Sequence, residues 1–297
     1  MFSIPKFYRF KSNFIKFFLF VIVSFIGGIL ACSSRNGVAG PGNYTQYFNV
    51  NWAQQKFWDD GLAEVATYQA QRIVYNRARQ FDYTLITVKE DFNKAFNVKT
   101  DDYKRSDLFP VIKVNEFARI PTENYPYHYL TSLFFKRENP VTVHKLTSSS
   151  QEWCGNTFKA ITQKGNSFTY QFNSYWDNQG TGELSLKELA LFEDQLPYTL
   201  RSLKFKENLT FKAPVYELQQ TSKALPPTLF QATFSISQGS TEEFPGGAWL
   251  VTVQFAPDKQ SQYWFSKKYP NALLRQRSYD GRTLELKNIQ RFAYWQH

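Results

Sequence analysis

Residues 261–295 read SQYWFSKKYPNALLRQRSYDGRTLELKNIQRFAYW, and this stretch decides the fold. Aromatic, Leu and Ile residues alternate with polar ones in three short runs. The turn signals KKYPN (267–271) and Asp280-Gly281 separate the runs. A period of two marks a half-buried strand, and Asp-Gly between two such runs is a strong hairpin signal. The chain therefore ends in an antiparallel meander. Working upstream, LFQATFSISQG (229–239) and AWLVTVQFAPD (248–258) repeat the pattern around a Gly/Pro-containing loop. LAEVATYQAQRIVYN (62–76) and RQFDYTLITVKEDF (79–92) are longer runs of the same kind, interrupted at Asn76, Arg77 and Ala78 as by a hairpin turn. Pro110, Pro121 and Pro126 fall at expected edges or turns, where a missing N–H is tolerated.

One segment breaks the alternation. In SLKELALFEDQLPYTLRSLKF (185–205), Leu186, Leu189, Leu196, Leu200 and Leu203 lie near helical spacing, divided by Pro197. The expectation is a mainly β chain: large antiparallel sheets forming a half-barrel or a sandwich, with a small helical insertion. Residues 52–297 form the β-rich domain, as one unit or as two β portions joined near 184–205. A short helical turn is expected within residues 52–60.

The N-terminus carries a different signal. Lys6, Arg9, Lys11 and Lys16 precede an apolar run of about ten residues, with no acidic residue before Cys32. FVIVSFIGGILACSSRNGVAGPGN (20–43) then turns small and polar at Cys32. The run is short for a membrane-spanning helix, which needs roughly 20 apolar residues. Ile29-Leu30-Ala31-Cys32 resembles the lipobox of bacterial lipoproteins. That resemblance implies a signal peptide over 1–31, acyl chains on Cys32, and a flexible tether over 32–51 rich in Gly, Ser and Asn. Ser33 after the cysteine implies, by the sorting rules of such proteins, the outer membrane. The membrane is thus an expected partner, through the acyl chains.

Composition excludes several classes. The 297-residue chain carries 35 Lys and Arg against 25 Asp and Glu. Removing residues 1–31, with four basic residues and no acidic ones, lowers the formal charge from +10 to +6. Basic residues are interleaved with acidic ones, as in KEDFNK (89–94) and TDDYKR (100–105), so no track for nucleic acid is expected. With Cys32 acylated, Cys154 has no partner for an intrachain disulfide.

Catalytic signals are weak. Cys154 needs a base to act as a nucleophile, and His128 and His144 are the internal candidates. The plainer expectation is a structural cysteine buried on a strand beside Trp153. DNQGTGELSLKE (177–188) matches a calcium loop only at Asp177, Gly182 and Glu188. The carboxylate pairs Asp59-Asp60, Asp101-Asp102 and Glu242-Glu243 flank turns and read as solvated. No catalytic residue, metal or cofactor is assigned.

The aromatic content, 18% of the chain, suits either core filling or a ligand surface. Trp249, Phe255, Trp264 and Tyr294 are the candidate ligand-binding residues. SSSQEWCG (148–155), VKEDF (88–92) and FEDQLPYTLRSL (192–203) resemble segments of an uncharacterised bacterial outer-membrane lipoprotein family. The meander at 264–295 is loosely similar to the LolA/LolB lipoprotein carriers, whose open β half-barrel holds acyl chains. The leading expectation is a non-enzymatic, outer-membrane-anchored β lipoprotein that binds an apolar or amphipathic ligand or handles envelope components; no activity or functional residue is carried over from the resemblance. A glycan-binding module, a hydrolase using Cys154 and a structural partner in an envelope assembly stand as alternatives. A lipid-like or glycan ligand is the expected partner.

Overall fold

The computed structural model of the chain describes residues 44–296. The signal segment, Cys32 and the first part of the expected tether lie outside them. The alternating runs form strands β1 (Ala63–Val74), β2 (Arg77–Asn93), β3 (Val98–Lys99), β4 (Leu108–Ile120), β5 (Tyr127–Lys136), β6 (Val143–Glu152), β7 (Gly155–Lys164), β8 (Ser167–Ser174) and β9 (Thr181–Leu186). The second half gives β10 (Leu191–Phe192), β11 (Thr210–Tyr216), β12 (Leu229–Gln238), β13 (Ala248–Ala256), β14 (Lys259–Ser266), β15 (Leu273–Arg277) and β16 (Thr283–Phe292). All sixteen belong to one sheet of order 10-11-12-13-14-15-16-1-2-4-5-6-7-8-9, with β3 paired to β2. Every pairing is antiparallel except β10 with β11. The two β portions are therefore one continuous sheet, joined where β16 pairs with β1.

The turns follow local chemistry. Tyr75 and Asn76 both take positive φ (53° and 57°), as a tight two-residue hairpin with right-handed strand twist requires. Val74 of β1 pairs with Arg77, so the turn is Tyr75-Asn76, sharing Asn76 with the expected break at 76–78 and starting one residue before it.

The helical insertion is short and entirely interior. Helix α1 (Leu196–Thr199) is flanked by 3-10 turns at Glu193–Gln195 and Leu200–Ser202, and all ten residues are buried. Pro197 sits in the first turn of α1, where its missing N–H costs nothing. This segment meets strands that are far apart in the sheet. Tyr198 packs on Phe135 of β5, with ring centroids 4.5 Å apart, and Arg201 pairs with Glu64 of β1. Gln195 donates to the carbonyl of Val141 before β6. Such contacts require the sheet to curl around the segment as a half-barrel. The two ends of the sheet meet through side chains: Phe168 of β8 lies 5.2 Å from Phe192 of β10.

One mouth of the half-barrel is closed by the chain before β1. Tyr44 and Phe48 are core residues, and Trp52 packs on Trp58 and Tyr198. The packed domain thus begins by Tyr44, eight residues before the expected domain start at 52. Residues 52–60 form two 3-10 turns, Trp52–Gln54 and Lys56–Trp58. No helix among the described residues is long and apolar enough to cross a membrane.

Candidate ligand-binding mouth

The opposite mouth is built from the β1–β2, β4–β5, β6–β7 and β8–β9 connections, and it concentrates aromatic residues where burial does not demand them. Trp153 is 78% exposed, Tyr175 65% and Tyr75 63%. Trp153 stacks on Tyr125 at 5.8 Å and 23°. The Tyr125 hydroxyl lies 3.2 Å from that of Tyr75 and 3.6 Å from Cys154 Sγ, and Tyr75 also bonds to Tyr127. These bonds, first to Tyr75 and then to Cys154, hold the Tyr125 hydroxyl above its ordinary pKa. Tyr175 packs edge-on against Trp176 and lies over Gly155, where a Cβ would meet its ring at 2.4 Å. Clustered exposed rings on loops mark an interaction surface more often than scattered ones do.

Inside this rim, residues 217–228 cross the concave face. Their backbone is held by buried polar side chains from the sheet and the central segment. The Asp194 carboxylate accepts from the N–H groups of Gln219 and Gln220, both at 2.8 Å. Ser148 donates to the Gln219 carbonyl (3.0 Å), Thr157 to Ser222 (2.8 Å) and Arg72 to Gln220 (2.9 Å). Lys159, only 1% exposed, donates to the Lys223 carbonyl and to Thr221 Oγ1. Buried backbone groups need such partners, and here side chains supply them because no strand lies alongside.

Three spaces border this loop. A crevice of about 250 Å³ lies between Tyr127, Glu152, Trp176, Gln179, Ser222 and Lys223. Across Lys223, a second of about 260 Å³ is lined by Arg72, Leu218, Tyr279 and Asp280 among others. Beneath Leu218 lies an inner cavity of about 30 Å³, walled by Tyr83, Glu116, Glu193, Asp194, Gln276 and Arg282.

The inner wall is strongly charged. Glu193 pairs with Arg282 and accepts from the Tyr279 hydroxyl, while Arg282 also binds Asp280 at 2.7 Å. Burial, and then the nearby charge of Asp194, pushes the Glu116 carboxyl well above the usual range. Burial raises Asp194 and Glu193 as well, opposed at Asp194 by the Gln219 N–H and at Glu193 by the charge of Arg282. Burial pulls Lys159 down to about 8.

The four residues expected to bind ligand do not share a surface. Trp249 and Phe255 lie on the concave face near opposite ends of β13. Trp249 stacks on Phe205 at 5.6 Å, and Phe255, 5% exposed, packs on Phe230 and Tyr279. Trp264 lies on the other face, 6% exposed, against Gly239 and with Arg275 and Arg277 over its ring. Tyr294 packs on Trp295, beside a separate cleft with Tyr103 and Lys113.

Cys154 departs from expectation. It is exposed in the two-residue turn between β6 and β7, because Trp153 and Cys154 form the turn itself rather than a strand. His128 instead bonds to Arg119 at 3.3 Å and His144 to Asn97 at 2.6 Å, so neither is poised as the base for Cys154. Asp177 and Glu188 flank β9 at its two ends, which separates the partial calcium-loop match by a six-residue strand. Asp59 and Asp60 are not free pairs: Asp59 binds Lys89 and Arg137, and Asp60 binds Arg291. Sequence reasoning missed Trp153, Tyr125, Tyr75 and residues 217–228. The signal for the rim was aromatic residues at turn positions next to Asn76, Gly155 and Gly180.

No known protein family matches the chain, and neither does any curated protein. Among solved structures, a DUF1089 family protein from Pseudomonas aeruginosa is similar over 55% of this chain and 82% of that one. The identity is 10% and the TM-score 0.37.

Proposed function

We propose that the protein is a non-enzymatic, lipid-anchored envelope protein of the outer membrane that binds an amphipathic envelope component by its sugar portion at the aromatic-rimmed mouth. The observation that carries this reading is the rim itself: Trp153, Tyr75 and Tyr175 are exposed on its connections, and its crevices are lined by Tyr127 and Trp176 with Glu152, Gln179, Lys223 and Asp280. Aromatic faces stack on the apolar faces of sugar rings, while carboxylates, amides and amines meet hydroxyls. The concave face, where an acyl chain would lie in a carrier, is filled by residues 193–202 and crossed by 217–228. That favours the sugar portion over the apolar portion as the recognised part. Anchoring rests on the Ile-Leu-Ala-Cys32 motif.

Two experiments test this. Cys32→Ser should release the protein from the membrane fraction or leave its signal uncut, and unchanged fractionation and processing refute the anchor. The full chain in micelles is titrated with peptide-free peptidoglycan glycan strands and with lipopolysaccharide core oligosaccharide, read by Trp fluorescence. Trp153→Ala should weaken the bound probe at least tenfold, about 1.4 kcal/mol. Absence of binding by both probes, or indifference to Trp153→Ala, refutes the mouth.

A further inference from the structure

The mouth closed by residues 44–58 carries exposed apolar side chains that the core does not use. β2 ends at this mouth, β4 starts there, and β16 ends there beside the start of β1. The connection between β2 and β4 puts out Phe96, 72% exposed, and Tyr103, 66% exposed, with exposed Val98 between them. Tyr294 and Trp295, which follow β16, are exposed as well. Tyr103, Tyr294 and Trp295 share a cleft of about 410 Å³ with Lys89, Lys99 and Lys113. Grouped exposed apolar side chains on a folded domain mark a surface that meets something.

The exposure of Phe96 is built into the backbone. Its N–H donates to Asn93 Oδ1 at 2.8 Å, and the Ala95 N–H donates to Asp107 Oδ2 at 3.0 Å. Asn97 takes positive φ (54°), a conformation that Asn tolerates. Asn97 Oδ1 lies 2.6 Å from His144 Nε2, and the Asn97 carbonyl accepts from Lys145 at 3.1 Å. The segment that presents the ring is ordered in advance, so docking it costs little further entropy.

Positive charge borders the patch. Asp101 pairs with Lys99, and Asp107 with Arg105. Lys94 and Lys104 are exposed and enter no ion pair among the described residues, which leaves two cations against Asp102. Trp and Tyr favour the boundary between water and lipid, Phe enters the apolar layer beneath it, and Lys lays its stem along that layer with its amine among the headgroups.

The point where the chain enters the fold says what covers this face. Tyr44 and Phe48 help to close this mouth, and Tyr44 follows Cys32 by twelve residues. A chain of that length reaches at most about 40 Å. β1, with 12 residues, spans about the same distance from this mouth to the aromatic-rimmed one. Acyl chains on Cys32 therefore favour this end beside the bilayer and the rimmed mouth beyond it. Turning the domain over would need the connecting chain stretched along the whole domain.

We infer that the end of the domain bearing Phe96, Tyr103 and Trp295 docks on an anionic lipid surface. This rests on the Cys32 anchor, and it sets the orientation in which the rimmed mouth is presented.

The test uses the full chain in vesicles of phosphatidylethanolamine and phosphatidylglycerol, with an environment-sensitive fluorophore and brominated lipids as quenchers. The fluorophore is placed at the docking end on Ser106→Cys combined with Cys154→Ser, and at the rimmed mouth on the native Cys154. Ser106 and Cys154 are both exposed. Mass spectrometry reads whether Cys32 carries acyl chains. With the chains present, quenching at 106 should exceed that at Cys154 at least threefold. Phe96→Asp should at least halve the quenching at 106. Lys94→Glu with Lys104→Glu should do the same, as should phosphatidylcholine in place of phosphatidylglycerol. Equal quenching at the two positions in an acylated protein refutes the docking face and leaves the anchor standing. Absence of acyl chains from Cys32 refutes the anchor, and the docking inference falls with it. Fluorescence at 106 that follows protein density and ignores lipid composition makes a second copy the occupant and refutes the lipid surface.

Discussion

The Glu64–Arg201 pair offers the sharpest test of how the half-barrel is held to its filling. Both side chains are about 2% exposed. The guanidinium meets the carboxylate through two bonds, Nη1 to Oε1 at 2.7 Å and Nη2 to Oε2 at 3.0 Å. Its Nε donates to the Pro270 carbonyl at 3.0 Å, and its plane lies 5.2 Å from the Trp52 ring and 5.7 Å from Trp58. Replacing Glu64 with Gln leaves a buried guanidinium without a counter-charge. Breaking a buried pair from one side costs about 3–5 kcal/mol. For a domain of this size each kcal/mol moves the melting point by about 2–4 °C, so a drop of about 6–20 °C is expected. Replacing both partners, Glu64→Leu with Arg201→Met, removes the desolvated charges together and should cost far less than the single change, or nothing. Urea denaturation followed by fluorescence suits the measurement, because Trp52 and Trp58 flank Arg201. A cost below about 1 kcal/mol for Glu64→Gln, or a double variant as unstable as the single one, would show that the pair does not couple the segment to the sheet.

Other expectations follow from burial and charge. Trp264→Ala should destabilise by about 3–5 kcal/mol, as for a buried ring, whereas Trp153→Ala should stay within about 0.5 kcal/mol in the same denaturation assay. Cys154 should react with a soluble thiol reagent nearly as fast in the native protein as in urea, since it is exposed; strong native protection would contradict its place in the turn. Lys159 titrates near 8 in the fold against an ordinary 10.5, so the unfolded chain binds more protons between those values. Stability should therefore rise with pH through about 8 to 10.5, and Lys159→Met should flatten that rise in denaturation curves recorded across the window.

The strands were legible because alternation is local. In β13, Val251, Val253 and Phe255 face the core, and the sequence AWLVTVQFA shows that period without any partner. The filling was not legible for the opposite reason. Glu193, Asp194 and Arg201 read as surface charges, and their partners lie 89 (Arg282), 25 (Gln219) and 137 (Glu64) residues away. Nothing near them in the chain announces burial. Trp264 shows a third limit. Tyr263, Trp264 and Phe265 are all buried in succession, because both faces of β14 are covered there, so alternation cannot say which ring faces inward. Trp153 and Cys154 read as strand because they are apolar, yet Gly155 beside them allows Tyr175 to close over the turn.

The position of the last strand constrains how this protein reaches its fold. β16 lies between β15 and β1, near the middle of the sheet, and residues such as Ala63 and Phe292 are neighbours across more than 200 residues of sequence. While the chain emerges from its N-terminus, β1 can pair with β2 but its other edge stays bare until the final residues arrive. Closing so long a loop before its contacts form makes such a topology slow to fold. During that interval β1 presents an open row of backbone donors and acceptors, an invitation to pair with another chain. Loss of the last fifteen or so residues would not trim an edge. It would leave a gap in the centre of the sheet, and the nascent protein depends on being kept apart from its copies until that gap is filled.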